Sequence, residues 1–376
     1  MGLARRNVEE IRPYVPGKPV EEVRRELGLS GTINKLASTE NPLGPSPLAV
    51  KAMRKAVKNM NFYPEDGAYY LTQALARKHG VGEDQILIAN GSVEVMYYIT
   101  TAFANPGESV VMSDQAFILY KIVTKVADAR QIAPPLRNHT HDLAAMVLSV
   151  EPDTKVVFIA NPNNPTGTLL SPPELDRFMS KVPEHVCVVL DEAYCDFAEY
   201  FARQRGVEYT HSLPYVREGR NVVVLRTFSK AHGLAGARIG YGIAPAEQIA
   251  YFARLKTVFS VTAMAEAGAM AAMQDEQHIR RTLENNAAGV EYLSKKIGEM
   301  GFRALPTCAN FLYVEVGEDA AEVGRRMQDE GVIIRPLAGG WGAPQAIRVT
   351  VGTPEQNRRC VAAMRKVLEK VAVGSH

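Results

Sequence analysis

Short apolar runs alternate with polar turns and helix-like segments along the chain, and this pattern restricts the fold more than any other feature. The runs lack the strict apolar–polar alternation of a half-exposed antiparallel strand. Apolar runs separated by helices are typical of a parallel sheet that is covered on both faces. The runs are QILIAN, SVVMSD, KVVFIANPN, VCVVLDEAY, NVVVLRTFSK and ARIGYGIA. The sequence therefore predicts an α/β fold.

The polar residues directly after these runs are the candidates for chemistry. Ligands of open parallel sheets bind beyond the carboxyl ends of the strands, so residues that follow neighbouring strands come together there. The candidate segments are 90–92, 161–167, 191–194 and 227–230.

Lys230 is the central candidate. It follows the apolar run 221–225, lies near the hydroxyls of Thr227 and Ser229, and precedes Arg238 by eight residues. A lysine at the end of a buried strand can trap an aldehyde, while hydroxyls and an arginine can bind a phosphate. Pyridoxal phosphate carries both groups. This stretch alone is equally consistent with a solvated lysine in a loop.

Asp191 directly follows VCVVL, where a carboxylate needs a cationic partner because it is poorly solvated. A protonated pyridine nitrogen is one such partner, and a helix cap or an ion pair with Arg226 is the alternative. Tyr194 and Asn164 can hydrogen-bond a ring oxygen, or they can be ordinary turn residues.

Gly91 and Ser92 lie between an apolar run and a helix, where backbone N–H groups form an anion site. A plain N-cap at Ser92 explains the pair equally well. Ser229 and Arg238 add a hydroxyl and a fork-shaped cation for a phosphate. The small residues before Arg238 favour a buried arginine over a surface one.

Composition favours small-molecule chemistry in the cytoplasm. The net charge is +2, so nucleic acid and membrane are not the expected partners, and no apolar run reaches the roughly 20 residues of a membrane span. The four cysteines are expected to be buried thiols. His139 and His141 form an HxH that we interpret as a solvated loop, and no metal site is expected.

The chain divides into three predicted parts. Residues 1–32 form a charged amino-terminal arm, 33–255 a large domain, and 256–373 a small α+β domain, and the segment 33–47 is a candidate to pack with the small domain. Helices are expected at 251–259 and 264–273, among others. Residues 374–376 resemble a purification tag remnant.

Motifs in a fixed order cover nearly the whole chain. FIANPNNPTG, DEAY and TFSKAHGLAGARIGY resemble the class I and II aminotransferases of fold type I. RPYVPGKPVEEVRRELGL, KLASTENPLGPSP, FYPEDGAYYLTQALA, NGSVE, GVIIRPL and IRVTVGTPEQNRR are similar to the histidinol-phosphate aminotransferase branch. The resemblance implies a mostly parallel seven-stranded sheet in a large domain that binds pyridoxal phosphate.

The resemblance also implies roles around that cofactor. Lys230 would bind the aldehyde and later move a proton, Asp191 would pair with the pyridine nitrogen, and Phe117 would stack on the ring. Asn164 and Tyr194 would hold the ring oxygen. The phosphate would be surrounded by Gly91, Ser92, Thr227, Ser229, Arg238 and, from the partner subunit of a homodimer with shared active sites, Tyr63.

On the substrate side, the resemblance assigns Arg348 to the α-carboxylate of the amino donor and Arg335 to a substrate phosphate. Tyr14 belongs to a segment that folds over the site, and Asn164 also faces the substrate. Three positions depart from the family pattern. Thr39 replaces an amide, Phe117 replaces a tyrosine, and Trp341 replaces a common tyrosine.

The resemblance implies transamination between L-histidinol phosphate and 2-oxoglutarate. An aromatic amino acid aminotransferase on the same scaffold is the first alternative, because Arg335 and an apolar pocket can also accept phenylalanine or tyrosine. A lyase or decarboxylase that uses the same cofactor, such as a threonine-phosphate decarboxylase, is the second. A regulator that only binds the cofactor is a third alternative.

Overall fold

The computed structural model describes residues 3–28, 31–209 and 212–372. The predicted tag remnant at 374–376 lies outside these described residues. The strands are β1 (Asn34–Lys35), β2 (Ile86–Ala89), β3 (Ser109–Met112), β4 (Arg130–Ile132), β5 (Thr154–Ala160), β6 (Cys187–Asp191), β7 (Val222–Thr227), β8 (Gly240–Ile243), β9 (Arg303–Ala304), β10 (Phe311–Glu315), β11 (Val332–Ile333), β12 (Arg335–Pro336) and β13 (Ala346–Thr350).

Helices connect and cover the strands. They are α1 (Arg6–Glu9), α2 (Val20–Leu27), α3 (Pro47–Ala56), α4 (Tyr69–His79), α5 (Ser92–Phe103), α6 (Ile118–Val126), α7 (Leu143–Leu148), α8 (Pro172–Met179), α9 (Cys195–Arg205), α10 (Leu213–Arg217), α11 (Ala246–Leu255), α12 (Ala263–Met273), α13 (Glu276–Glu299), α14 (Ala320–Asp329) and α15 (Pro354–Ala372).

Seven strands form the central sheet in the order β2-β8-β7-β6-β5-β3-β4. Neighbours pair in parallel except β8, which is antiparallel to both β2 and β7. The predicted α/β fold with a mostly parallel seven-stranded sheet is thereby confirmed.

Strand β5 illustrates why the runs are apolar throughout. Val157 and Ile159 pack into the hydrophobic cluster on one face of the sheet, whereas Val156 and Phe158 pack into the cluster on the other face. Because successive side chains of a strand point to opposite faces, a strand covered on both faces buries all of them. The six predicted runs each contain one strand of this sheet.

Two elements differ from the sequence prediction. Strand β4 was not predicted because it is three residues long, lies at the sheet edge and contains Arg130 and Gln131. The helix expected at 251–259 is wrong in its bounds, since α11 spans Ala246–Leu255 and Phe259 has a φ of 55°. Local residues mark the ends of other helices, as Ser46 accepts N-cap hydrogen bonds at α3 and Gly80 follows α4.

The carboxy-terminal part contains a four-stranded antiparallel sheet in the order β12-β13-β10-β9, packed with α13, α14 and α15. Strand β1 pairs in parallel with β11, so residues 34–35 join the carboxy-terminal part of the chain. The amino-terminal segment contacts both parts. Asn7 donates to the carbonyl of Lys125 in α6 at 2.9 Å, and Arg335 Nη1 donates to the carbonyl of Val15 at 3.0 Å.

All four cysteines are buried free thiols, as predicted. Within the described residues, no helix combines the length and the apolarity needed to cross a bilayer.

Candidate active site

A cavity of about 240 Å³ lies at the carboxyl ends of β5, β6 and β7. It is the place where a parallel sheet brings the residues after its strands together. Twelve of the predicted site residues line it: Tyr14, Thr39, Ser92, Phe117, Asn164, Asp191, Tyr194, Thr227, Ser229, Lys230, Arg238 and Arg348. Trp341 lines it as well.

The amine of Lys230 points into the cavity from the turn after β7. Its Nζ lies 2.5 Å from the Thr39 hydroxyl and 3.5 Å from the Thr39 carbonyl. Burial, and then the nearby positive charge of Arg348, lower the pKa of Lys230 to about 7. A substantial fraction of the amine is therefore neutral near neutral pH, which is the form that attacks a carbonyl.

Asp191 is the last residue of β6 and is buried. Its Oδ2 accepts a hydrogen bond from Tyr120 at 2.7 Å, and its Oδ1 accepts one from the Ala193 N–H at 3.1 Å. Burial raises the pKa of Asp191 to about 6, against the opposing effect of the Tyr120 hydrogen bond. The alternative ion pair with Arg226 is wrong, because Arg226 pairs with Glu192 at 2.7 Å.

Asn164, Tyr194 and Arg348 form one hydrogen-bonded group. Asn164 Nδ2 donates to the Tyr194 hydroxyl at 3.2 Å, and Asn164 Oδ1 accepts from Arg348 Nη1 at 2.5 Å. The Tyr194 hydroxyl also lies 3.2 Å from that of Thr39. Burial raises the pKa of Tyr194, so its phenol stays protonated and can donate to an acceptor in the cavity.

The start of α5 and the Arg238 guanidinium form a corner of hydrogen-bond donors, which we call the anion corner. Ser92 is the first residue of this twelve-residue helix, and Gly91 before it has a φ of 83°. A Cβ on Gly91 would lie 2.3 Å from Arg238 Nη2, so the glycine lets the guanidinium approach the helix end. Arg238 Nη1 also donates to Ser229 Oγ at 3.4 Å. The expectation of a buried Arg238 is wrong, since its side chain borders the cavity and is exposed to solvent.

Two arginines lie side by side on neighbouring strands, since Arg335 of β12 pairs with Arg348 of β13. Both are buried, and within residues 3–28, 31–209 and 212–372 their hydrogen bonds go to carbonyl, amide and hydroxyl oxygens instead of carboxylates. The Nε atom of each has no partner there. Burial lowers the pKa of Arg348 to about 10, which still leaves it charged at neutral pH. Buried cations of this kind favour an anionic ligand.

Aromatic side chains surround these arginines. The guanidinium carbon of Arg348 lies 5.2 Å from the Phe311 ring centroid and 5.4 Å from that of Trp341. The rings of Phe117 and Trp341 lie 6.4 Å apart, and the Arg335 guanidinium lies 5.9 Å from the Tyr14 ring. The cavity therefore combines cationic groups with a flat apolar wall.

Tyr63 is not among the residues that line the cavity of its own chain. It is 82% exposed, and its ring stacks on Phe259 at 4.7 Å. Arg335 is not among the lining residues either. Its Nη2 donates to the hydroxyl of Tyr14, which does line the cavity.

Two residues that support the site were not predicted from the sequence. Tyr120 bonds Asp191, and Asn310 Nδ2 donates to the Thr39 carbonyl at 3.0 Å. The sequence signal that could have identified Tyr120 is its position as a second aromatic residue, three residues after Phe117, at the start of α6. No local pattern identifies Asn310, because its partner lies 271 residues away.

The HxH segment is not a solvated loop throughout. His141 is buried, accepts from or donates to Ser113 Oγ at 2.7 Å, and lies 3.1 Å from the Ala160 carbonyl. Burial lowers the pKa of His141 to about 4, so the ring is neutral. Among the residues that the structure describes, no cluster of three or more histidine, cysteine or acidic side chains could hold a metal ion.

Comparisons with known proteins agree with this geometry. The model of the family "Aminotransferase class I and II" matches residues 32–364. Histidinol-phosphate aminotransferases from Moorella thermoacetica and Akkermansia muciniphila are each 44% identical to this chain, over 97% of it and over 92% and 99% of their own lengths.

Solved structures show the same fold. The histidinol-phosphate aminotransferase of Sinorhizobium meliloti, determined in complex with pyridoxal-5'-phosphate, is 26% identical, covers 99% of both chains and has a TM-score of 0.87. A Thermus thermophilus aspartate aminotransferase mutant, 20% identical over 98% of this chain and 100% of its own, has a TM-score of 0.82 and supports the fold alone. This chain belongs to the class I and II aminotransferases and, within them, to the histidinol-phosphate aminotransferase family.

Proposed function

We propose that this aminotransferase uses pyridoxal phosphate to exchange an amino group between L-histidinol phosphate and 2-oxoglutarate. The observation that carries the proposal is the pair of buried arginines, Arg335 and Arg348, beside a cavity that contains the amine of Lys230. Their charges need anionic ligands, and both proposed substrates are anionic small molecules.

The residues present fit the cofactor. The start of α5, the Thr227 and Ser229 hydroxyls and Arg238 offer donors to a phosphate, and a side chain larger than hydrogen at Gly91 would collide with the Arg238 guanidinium. Asp191 offers a buried carboxylate to a protonated ring nitrogen, and Phe117 offers an aromatic face. When bound, pyridoxal phosphate supplies an electron-accepting ring that stabilises negative charge at the substrate Cα.

The protein's own groups divide the remaining work. Lys230 would hold the aldehyde of the resting cofactor, and its amine, once displaced from the aldehyde by the substrate amine, would take the proton from the substrate Cα, a role that its lowered pKa suits. Thr39 holds that amine through its hydroxyl. Asn164 donates to the Tyr194 hydroxyl, and the two side chains would hold the ring oxygen, while the aromatic wall would exclude water from the reacting atoms.

Two anionic groups have separate places in this proposal. Arg348 binds the α-carboxylate of glutamate or 2-oxoglutarate, because a planar guanidinium matches a planar carboxylate. Arg335, with Tyr14 from the arm, binds the phosphate of histidinol phosphate. Phe117 and Trp341 offer flat surfaces to the imidazole ring. The same rings favour an aromatic amino acid as the alternative substrate.

The half-reaction tests the substrate. The yellow holoenzyme is mixed in turn with histidinol phosphate, phenylalanine, threonine phosphate and glutamate, and the absorbance change to the amino form of the cofactor is recorded. Histidinol phosphate and glutamate are expected to convert the cofactor. Lack of conversion by histidinol phosphate contradicts the proposal, faster conversion by phenylalanine favours the aromatic alternative, and CO₂ release from threonine phosphate favours a decarboxylase.

We also propose a homodimer in which Tyr63 reaches the phosphate site of the partner subunit. An exposed apolar surface supports this, because isolated subunits rarely expose so many large apolar side chains together. This surface, which we call the apolar face, comprises Met60, Phe62, Tyr63, Val258 and Phe259.

The predicted domain limits stay part of this proposal, with an arm at 1–32, a large domain at 33–255 and a small domain at 256–373. The pairing of β1 with β11 supports the assignment of 33–47 to the small domain's surface. We also propose a cytoplasmic location. The four free thiols support it, because reducing compartments keep cysteines unpaired.

A further inference from the structure

Tyr120 is a fully buried residue of α6, and its hydroxyl contacts the carboxylate of Asp191. The sequence did not predict this contact. The ring stacks on Phe158 with centroids 4.6 Å apart and planes 7° apart, and it meets the Phe117 ring edge-on at 5.7 Å. This packing fixes the phenol so that it donates to Asp191 Oδ2 at 2.7 Å. Burial and the charge of Asp191 raise the pKa of Tyr120 far above its usual range, so it remains a donor.

Asp191 needs such a donor. Its side chain is buried, and a buried carboxylate tends to take up a proton and become neutral. A neutral acid could not pair with a protonated ring nitrogen. The Ala193 N–H occupies Oδ1, so Tyr120 and Ala193 together hold both carboxylate oxygens while Asp191 still borders the cavity.

The other charges near Asp191 act in both directions. Lys230, when protonated, favours the carboxylate, whereas Glu192 disfavours it. Tyr194 is a neutral phenol on the same side of the cavity. Among these groups the Tyr120 hydroxyl has the largest effect in keeping the carboxylate ionised, because it donates a short hydrogen bond to a buried carboxylate oxygen.

We infer that Tyr120 is the positioning residue of Asp191, and that its hydroxyl holds the carboxylate ionised and directed at the ring nitrogen of pyridoxal phosphate. This inference rests on the proposed cofactor. Tyr120 acts through Asp191, which stands between it and the cavity. Its effect on cofactor binding must therefore depend on a basic ring nitrogen.

The test compares Tyr120→Phe with wild type in the binding of two probes to cofactor-free protein. The probes are pyridoxal phosphate and its analogue with carbon in place of the ring nitrogen, and binding is followed by absorbance. The variant keeps the ring packing on Phe158 and loses the bond to Asp191. It should bind pyridoxal phosphate on the order of 10- to 100-fold more weakly, while its affinity for the carbon analogue should change less than about threefold.

Tyr215→Phe is the matched control. It removes a phenol hydrogen bond to another aspartate, Asp176, away from the cavity, and should leave both affinities unchanged. Adding Tyr120→Phe to Asp191→Asn should weaken pyridoxal phosphate binding no further, because the carboxylate is already absent.

Equal weakening of both probes by Tyr120→Phe, or full additivity with Asp191→Asn, would overturn the inference and leave Tyr120 a packing residue. If Tyr120→Phe alone fails to fold, the comparison of the two probes in Asp191→Asn and in Asp191→Asn with Tyr120→Phe decides. The double variant keeps the ring packing and leaves no buried carboxylate without its donor, so a further loss in it specific to pyridoxal phosphate contradicts the inference. Wild type that binds neither probe would instead contradict the proposed function.

Discussion

Thr39 has a φ of 55°, a backbone conformation that β-branched residues rarely adopt and that costs on the order of 1–3 kcal/mol. Contacts on all sides hold it there. Its N–H donates to Thr350 Oγ1, its carbonyl accepts from Asn310, and its hydroxyl lies against Lys230 and Tyr194. The strained Thr39 therefore places a hydroxyl next to the Lys230 amine. The amide side chain common in the family would place a carbonyl oxygen and an NH₂ group there instead.

Lys230→Ala is expected to abolish the absorbance of protein-bound cofactor at its yellow band, because no other residue replaces the amine at the end of β7. Borohydride treatment should label wild type at Lys230 and leave the variant unlabelled, as measured by peptide mass. Lys155→Ala, which removes a lysine paired with Glu108, is the control and should retain the band. A persistent band in Lys230→Ala would contradict the assignment.

Arg348→Lys should slow the half-reaction with glutamate by roughly 30-fold, equivalent to about 2 kcal/mol, because a single ammonium cannot donate two parallel hydrogen bonds to a carboxylate. Stopped-flow absorbance provides the rate. Arg325→Lys, an exposed arginine paired with Glu322, makes the same change elsewhere and should leave the rate unaltered. An unaltered rate in Arg348→Lys would remove Arg348 from carboxylate binding.

At the scale of elements, the contact between β8 and the start of α5 determines the anion corner. A Cβ on Gly240 would lie 2.5 Å from the Ser92 nitrogen and 2.9 Å from the Gly91 carbonyl carbon. Gly240→Ala is therefore expected to lower the free energy of unfolding by about 1–3 kcal/mol and to weaken cofactor binding. Both are measured by denaturant unfolding and by absorbance titration.

Gly298→Ala is the matched control for this substitution. Nothing lies within 4 Å of a Cβ at Gly298, which is inside α13, so alanine should raise the free energy of unfolding by about 0.5–1 kcal/mol. Equal changes in the free energy of unfolding in the two variants would contradict a close contact between β8 and α5.

His141 connects two strand ends, since it bonds Ser113 after β3 and Ala160 at the end of β5. Its pKa falls from the usual 6.5 to about 4 in the folded chain. The unfolded chain therefore takes up a proton below about pH 6.5 while the folded chain does not. His141 should therefore contribute a decrease of about 3 kcal/mol to the free energy of unfolding as the pH falls from about 6.5 to about 4, and this contribution is read as the difference between wild type and a variant without the imidazole.

Denaturant unfolding across this pH range checks the effect. His141→Gln should show a smaller decrease than wild type, because its side chain does not titrate. His185→Gln, at an exposed histidine, should retain the wild-type decrease. Equal pH dependence in all three proteins would contradict the role of His141.

The elements and residues that were predictable share a local signal. Strands β5, β6 and β7 are continuous apolar runs, and Lys230 and Asp191 lie at the ends of two of them. Strand β4 has no such run, and its place depends on pairing with β3. The burial of His141, the exposure of Arg238 and the bond from Tyr120 to Asp191 depend on contacts between distant segments, which periodicity and spacing do not encode.

At the scale of the whole molecule, the apolar face predicts how two copies associate. Phe62→Glu should dissociate the proposed dimer, because a charge would lose its hydration in a closed interface. Sedimentation velocity should then show a monomer, and cofactor retention should fall because Tyr63 no longer reaches the partner's phosphate site. Phe62 is 71% exposed in the single chain, so the substitution leaves the core of the subunit intact.

Leu148→Glu is the control, since this leucine of α7 is 87% exposed and lies outside the apolar face. It should leave the sedimentation coefficient unchanged. A wild-type protein that sediments as a monomer would contradict the proposed homodimer.

The pairing of β1 with β11 also has a consequence for synthesis. Residues 34–35 leave the ribosome roughly 300 residues before their partners at 332–333. The segment that follows β1 is held by another late strand, β13, since the Leu36 carbonyl accepts from the Thr350 N–H and the Ala37 carbonyl accepts from Arg348. The loop that carries Thr39 thus lacks its contacts with Arg348 and Thr350 on a nascent chain until β13 emerges. A chain that ends before β13 also lacks Arg348, which lines the cavity, so synthesis must pass residue 350 before the complete site can assemble.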